Sequence, residues 1–112
     1  MTPAEQAQFR ILKIVDEEPE VSQRQLAERL GFSLGKANYL LKALLDKGYI
    51  KAGNFLRAEN KLKYAYLLTP EGVRGKLRLT RDYLACREQE YLAIKAEIET
   101  MRNDLARHDE HA

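Results

Sequence analysis

Apolar positions along the chain change their period several times, and each change marks an element. Phe9, Leu12 and Val15, with Ile11 and Ile14 beside them, fall on one helical face. Thr2-Pro3-Ala4-Glu5 supplies the start of that helix, a capping box with proline at the first helical position. The acidic turn Asp16-Glu17-Glu18-Pro19 ends it. Val21-Ser22-Gln23-Arg24-Gln25-Leu26 is a second start: Ser22 is placed to accept from the Gln25 amide, Gln25 to reach back to the Ser22 amide, and Val21 and Leu26 to form a hydrophobic staple. Leu26, Ala27 and Leu30 make a short apolar face and Gly31 the stop, so this helix spans only about ten residues. Ser33 caps a third helix running to about Lys47, with Ala37, Leu40, Leu41, Leu44 and Leu45 inward and Lys36, Asn38, Tyr39, Lys42 and Ala43 outward.

The period then shortens. Tyr49-Ile50-Lys51 and Tyr64-Ala65-Tyr66-Leu67-Leu68 are rich in β-formers, and the polar, basic stretch from Ala52 to Lys63 between them predicts a hairpin with a long tip. Thr69-Pro70-Glu71 opens a fourth helix that meets no stop before about Arg107, a run of roughly 38 residues or about 57 Å. Gly72 and Gly75 weaken its first turns. Along it, Leu77, Leu84, Tyr91, Ile98 and Leu105 recur every seven residues. With these as position a of a heptad, position d holds Thr80, Arg87, Ile94 and Met101, so the seam is fully apolar only from Tyr91 onward. The first half of this helix is expected to lie on its own domain and the second half to pair with another chain. The expected fold is mainly α with a small β-hairpin: three helices and a wing in residues 1–75, then a coiled-coil-like dimerisation helix in 76–112.

Two short helices joined by a glycine-containing turn fit a helix-turn-helix, but spacing alone leaves an ordinary helical hairpin open. Charge changes the picture. The chain's net +2 is close to neutral, yet residues 33–63 hold seven basic side chains against two acidic ones, and residues 69–112 hold eight against nine. A basic segment spanning the third helix and the hairpin is the electrostatic footprint of a nucleic-acid contact. Single Cys86 excludes an intrachain disulfide and an all-cysteine metal cage. No stretch approaches the roughly 20 apolar residues of a membrane span, and no signal-type leader is evident, so a cytoplasmic protein is expected.

The order and spacing of four segments resemble the MarR-type winged-helix regulators, and within them a short subgroup associated with extracellular-polysaccharide gene clusters. The segments are Val21-Ser22-Gln23-Arg24-Gln25-Leu26-Ala27, Ser33-Leu34-Gly35-Lys36-Ala37-Asn38-Tyr39, Lys51-Ala52-Gly53-Asn54-Phe55 and Tyr66-Leu67-Leu68-Thr69-Pro70-Glu71-Gly72. The resemblance implies a cytoplasmic, dimeric, bacterial DNA-binding regulator, with the third helix in the major groove and the wing near the minor groove. MarR-type wings usually carry Asp-x-Arg, where this chain has Glu59-Asn60-Lys61, so wing contact is expected from Lys61, Lys63 and Arg57. Longer members have further terminal helices that shape an effector pocket, and the resemblance does not extend to that pocket.

The candidate readers are Ser33, Gly35, Lys36, Asn38, Tyr39 and Lys42. Ser33 and Gly35 allow close approach of a phosphate to the helix N-terminus. Asn38 suits an adenine edge and Lys36 a guanine, while Lys42 and Tyr39 suit phosphate. The bland alternatives are a Tyr39 packed beneath the wing and a solvated Lys42. Leu84, Tyr91, Ile94, Ile98, Met101 and Leu105 are the expected dimerisation residues. Position g holds Glu90, Glu97 and Asp104, and position e holds Glu88, Lys95, Arg102 and Asp109, which tilts the pairing toward parallel. No nucleophile–base arrangement is present, and His108 and His111 sit in a polar tail, so neither enzyme activity, a cofactor nor a metal site is expected. A protein–protein adaptor is the competing function. It is separated from a DNA-binding regulator by salt-sensitive duplex binding.

Overall fold

The structure, a computed structural model, describes residues 1–58 and 61–110, with side chains for all of these except 53–58, 61–65 and 110. Among the described residues the order is α1 (Pro3–Glu17), α2 (Gln23–Leu30), α3 (Leu34–Asp46), β1 (Ile50–Ala58), β2 (Lys61–Leu68) and α4 (Pro70–Glu110). This is the expected winged-helix arrangement followed by a long C-terminal helix. The chain divides into two compact units, Met1–Thr80 and Arg81–Ala112.

Local chemistry fixes the helix ends in the first unit. The Thr2 hydroxyl accepts from the Glu5 amide at 3.1 Å and the Glu5 carboxylate accepts from the Thr2 amide at 3.3 Å. The Thr2 amide and, at 3.1 Å, the Thr2 hydroxyl donate to the Glu5 carboxylate and hold that carboxyl below its ordinary pKa. Ser22 and Gln25 repeat the reciprocal pattern at 3.1 and 2.9 Å. Gly31 (φ 70°) and Gly48 (φ 73°) take the left-handed conformation that stops α2 and α3. After each, the next residue's amide closes the turn: Phe32 donates to the Ala27 carbonyl and Tyr49 to that of Leu44.

Ile11, Leu12 and Val15 of α1, Leu26 of α2, Leu41 and Leu44 of α3, Ile50 at the hairpin base and Leu79 of α4 form one core. Burying each large side chain is worth ~1.5–3 kcal/mol relative to leaving it in water. Ion pairs of Lys76 with Asp16 (2.8 Å) and Arg29 with Glu18 (2.5 Å) fasten its rim. Leu45, expected inward, is 37% exposed instead. It stands at the end of α3, one residue beyond Leu44, where a 100° step carries it off the buried face.

The hairpin corrects the sequence reading more substantially. Antiparallel pairing runs from Ile50 opposite Leu68 to Ala58 opposite Lys61, so most of the stretch expected as a long tip is strand. A shift in register between Ala52 and Phe55 marks a bulge. The distal strands leave no sequence signal because a two-stranded ribbon needs only backbone pairing. Alternation appears in sequence only where one face is buried; among the described side chains of the hairpin, Ile50 and Tyr66 at its base enter the core. Tyr66 also ties the base down: its amide donates to the Pro19 carbonyl at 3.1 Å, and its hydroxyl accepts from Gln23 at 3.3 Å.

The glycines of α4 have a reason that lies elsewhere in the first unit. A Cβ at Gly72 would overlap the Tyr49 carbonyl oxygen, and one at Gly75 would stand 2.6 Å from the Tyr49 ring. Thr69 completes the junction: its amide donates to the Tyr49 carbonyl at 3.0 Å, its hydroxyl donates to the Gly48 carbonyl and accepts from the Gly72 amide. Arg78 reaches the Tyr49 hydroxyl at 3.1 Å. The opening turns of α4 thus lie on the domain, as expected, but through Gly72, Gly75 and Leu79. The heptad position Leu77 stays 52% exposed.

Candidate nucleic-acid interface

Ser33 adopts an extended backbone, and its hydroxyl accepts from the Lys36 amide at 3.1 Å, which starts α3 immediately after the turn from α2. From there the helix has two faces. Ala37, Leu40, Leu41 and Leu44 are buried against the rest of the first unit. Ser33, Gly35, Lys36, Tyr39 and Lys42 are exposed and Asn38 is half-buried at the edge between the faces. The six candidate readers therefore come together on the outward side of one helix. Tyr39 is 73% exposed, which removes the alternative of a ring packed beneath the wing.

Two features of this surface escaped the sequence reading. Lys36 holds its ammonium 4.1 Å from the centroid of the Phe32 ring, a cation–π contact that steadies the side chain at the head of α3. Leu34, beside the cap, is 48% exposed. The only sequence signal for either was their position flanking Ser33. Gly35 has nothing within 4 Å of where a Cβ would stand, so no internal contact demands a glycine there.

On the hairpin, Arg57 pairs with Leu62, Lys61 with Ala58 and Lys63 with Leu56, which puts all three basic residues in the distal half of the ribbon. Their side chains lie outside the described residues, as do Glu59 and Asn60 altogether.

In the second unit Leu84, Tyr91, Ile94, Ile98, Met101 and Leu105 are between 39% and 65% exposed. Every described residue from 87 to 109 is exposed. Within Arg81–Glu110 the heptad residues thus form an apolar stripe that no part of this unit covers. Among the described residues no cluster of His, Cys, Asp and Glu is arranged to hold a metal ion, and no helix is long and apolar enough to cross a membrane. His111 lies outside the described residues.

Comparison with known proteins agrees with this architecture. Residues 5–51 match the family described as winged helix-turn-helix DNA-binding. No curated protein sequence gives a significant match. Among solved structures, the PcaV transcriptional regulator from Streptomyces coelicolor, in complex with its natural ligand, is 25% identical over all of this chain and 76% of its own, with a TM-score of 0.61. A MarR-family protein of Mycobacterium tuberculosis in complex with salicylic acid is 19% identical over 74% of this chain, with a TM-score of 0.61. This chain spans 60% of that protein's length. A point mutant of MepR from Staphylococcus aureus, bound to an oligodeoxyribonucleotide, is 18% identical over 94% of this chain and 80% of its own, with a TM-score of 0.62. The last two likenesses speak for the fold alone. MarR-family proteins are thus among the structural neighbours of this chain.

Proposed function

We propose that this protein is a sequence-specific, double-stranded DNA-binding transcriptional regulator that works as a homodimer in the cytoplasm. The winged unit, expected as residues 1–75 and compact to Thr80, binds DNA, and the apolar stripe of the helix beyond it pairs the chains. The observation that carries the reading is the outward face of α3, where Ser33, Gly35, Lys36, Tyr39 and Lys42 stand exposed beside Asn38 on a helix whose other side is core. A helix-turn-helix presents its second helix to the major groove by its N-terminal residues, and those are the residues in question. Lys36 and Asn38 meet base edges, Tyr39 and Lys42 meet phosphate, and the α3 N-terminus favours an anion. Arg57, Lys61 and Lys63 bring the wing to the neighbouring backbone or minor groove. The winged-helix match over residues 5–51 and the oligodeoxyribonucleotide held by the MepR mutant support the same reading. The resemblance to regulators encoded with polysaccharide gene clusters makes polysaccharide biosynthesis genes the targets to test first.

The test is fluorescence anisotropy of a labelled duplex, recovered by the protein from sheared genomic DNA, at several salt concentrations. Each phosphate contact adds roughly 0.9 to the slope of log affinity against log salt. A steep fall of affinity with salt, together with preference over scrambled duplex, is expected. A flat response, or no binding at low salt, contradicts the proposal.

A further inference from the structure

We infer that the second copy of this chain docks along the exposed stripe of α4 in parallel and in register, zipped from Tyr91 to Leu105; this rests on the homodimer proposed above. The stripe alternates a and d positions without a polar interruption over that span: Tyr91, Ile94, Ile98, Met101 and Leu105. Its flanks carry the orientation. In a parallel pair each g residue faces the e residue five positions later on the partner, which sets Glu90 against Lys95 and Glu97 against Arg102, each twice by symmetry. In an antiparallel pair g faces g, and all three g residues here, Glu90, Glu97 and Asp104, are acids.

The ion pairs within the chain sharpen the point. Among the described residues Lys95, Glu97 and Arg102 make no ion pair of their own, and all three are exposed. Asp104, whose parallel partner is the like-charged Asp109, pairs with Arg107 on its own helix, as Glu90 does with Arg87, so Glu97–Arg102 is the flank contact with which no intrachain ion pair competes. At the other end Arg87 occupies a d position, where a parallel pair sets it against its own copy. It turns to Glu90 at 2.9 Å and lies 5.8 Å from the Tyr83 ring instead. Arg87 therefore marks where the zipped segment stops. Parallel pairing brings the N-terminal ends of both paired segments to the same end of the pair.

Charge exchange tests the orientation by sedimentation equilibrium at low salt, where exposed charges are least screened. Lys95→Glu with Arg102→Glu turns four attractions per dimer into repulsions, and the dimer is expected to weaken about tenfold or more. Adding Glu90→Lys and Glu97→Lys to the same chain restores g–e complementarity and brings the affinity back to within about threefold of wild type. Antiparallel helices gain nothing from that rescue, because g still meets g and e still meets e. A double variant as tight as wild type, or a quadruple variant as weak as the double, overturns the parallel arrangement while leaving the dimer standing. A wild-type protein that is monomeric at micromolar concentration overturns the homodimer itself.

Discussion

The two units of the chain handle apolar residues in opposite ways. Met1–Thr80 puts Ile11, Leu12, Leu26, Leu41, Leu44, Ile50 and Leu79 almost wholly out of water and caps its short helices by reciprocal hydrogen bonds. Arg81–Ala112 has Leu84, Tyr91, Ile94, Ile98, Met101 and Leu105 at strict heptad positions and leaves all of them at least a third exposed. The lesson is that hydrophobic content and hydrophobic period answer separate questions. A helical face that closes on neighbours in the same unit makes a domain. A heptad sustained beyond the reach of any neighbour makes an interface. The first unit buries its apolar face within one chain; the second leaves its stripe open, where the proposed homodimer sets a second copy.

The largest expected effect tests the second half of that contrast. Ile98→Asp removes ~1.5–3 kcal/mol of burial per chain and puts a carboxylate where no partner awaits it. Dimerisation is expected to weaken by about a hundredfold or more, with the thermal transition of the winged unit unchanged by near-UV circular dichroism. Leu79→Ala does the reverse: truncating the residue that anchors α4 in the core should cost the first unit about 2–5 kcal/mol in urea unfolding, with no change in association measured below the transition.

Within the first unit, α3 and the wing should separate. Lys36→Ala and Asn38→Ala are expected to lose about 1–3 kcal/mol of discrimination between operator and scrambled duplex. Lys61→Ala and Lys63→Ala should weaken both duplexes alike and lower the salt slope by roughly 0.9 each. Anisotropy titrations of the four variants check this, and specificity changes confined to the wing variants would reverse the assignment. Smallest is Ser22→Ala, which removes the cap of α2 and should cost about 1 kcal/mol of stability without affecting the dimer.

What was legible in the sequence was what local chemistry decides. Thr2, Ser22 and Ser33 each announce a helix start because the bonding partner lies three residues away. The heptad of α4 was legible because it needs no tertiary context at all. Gly72 and Gly75 read only as helix weakeners, since their reason is Tyr49, more than twenty residues earlier and adjacent only once the hairpin has folded back. Leu79 gives no such signal because it stands off the heptad, though it is the α4 residue that enters the core. The wing read too short because a two-stranded ribbon is held by backbone pairing, which leaves no pattern of its own in the sequence. In the candidate site the outward face of α3 followed from helical period. The stacking of Lys36 on Phe32 did not, because it depends on the angle at which α3 leaves the turn.

The most direct test of a self-sufficient reader joined to a partner-dependent helix is the composition of the complex with DNA. Sedimentation equilibrium of the wild-type protein with a saturating genomic duplex it has selected, at low salt, gives the number of chains per duplex. Two chains on one duplex is the expected result. One chain per duplex, or no complex at all, would contradict the account.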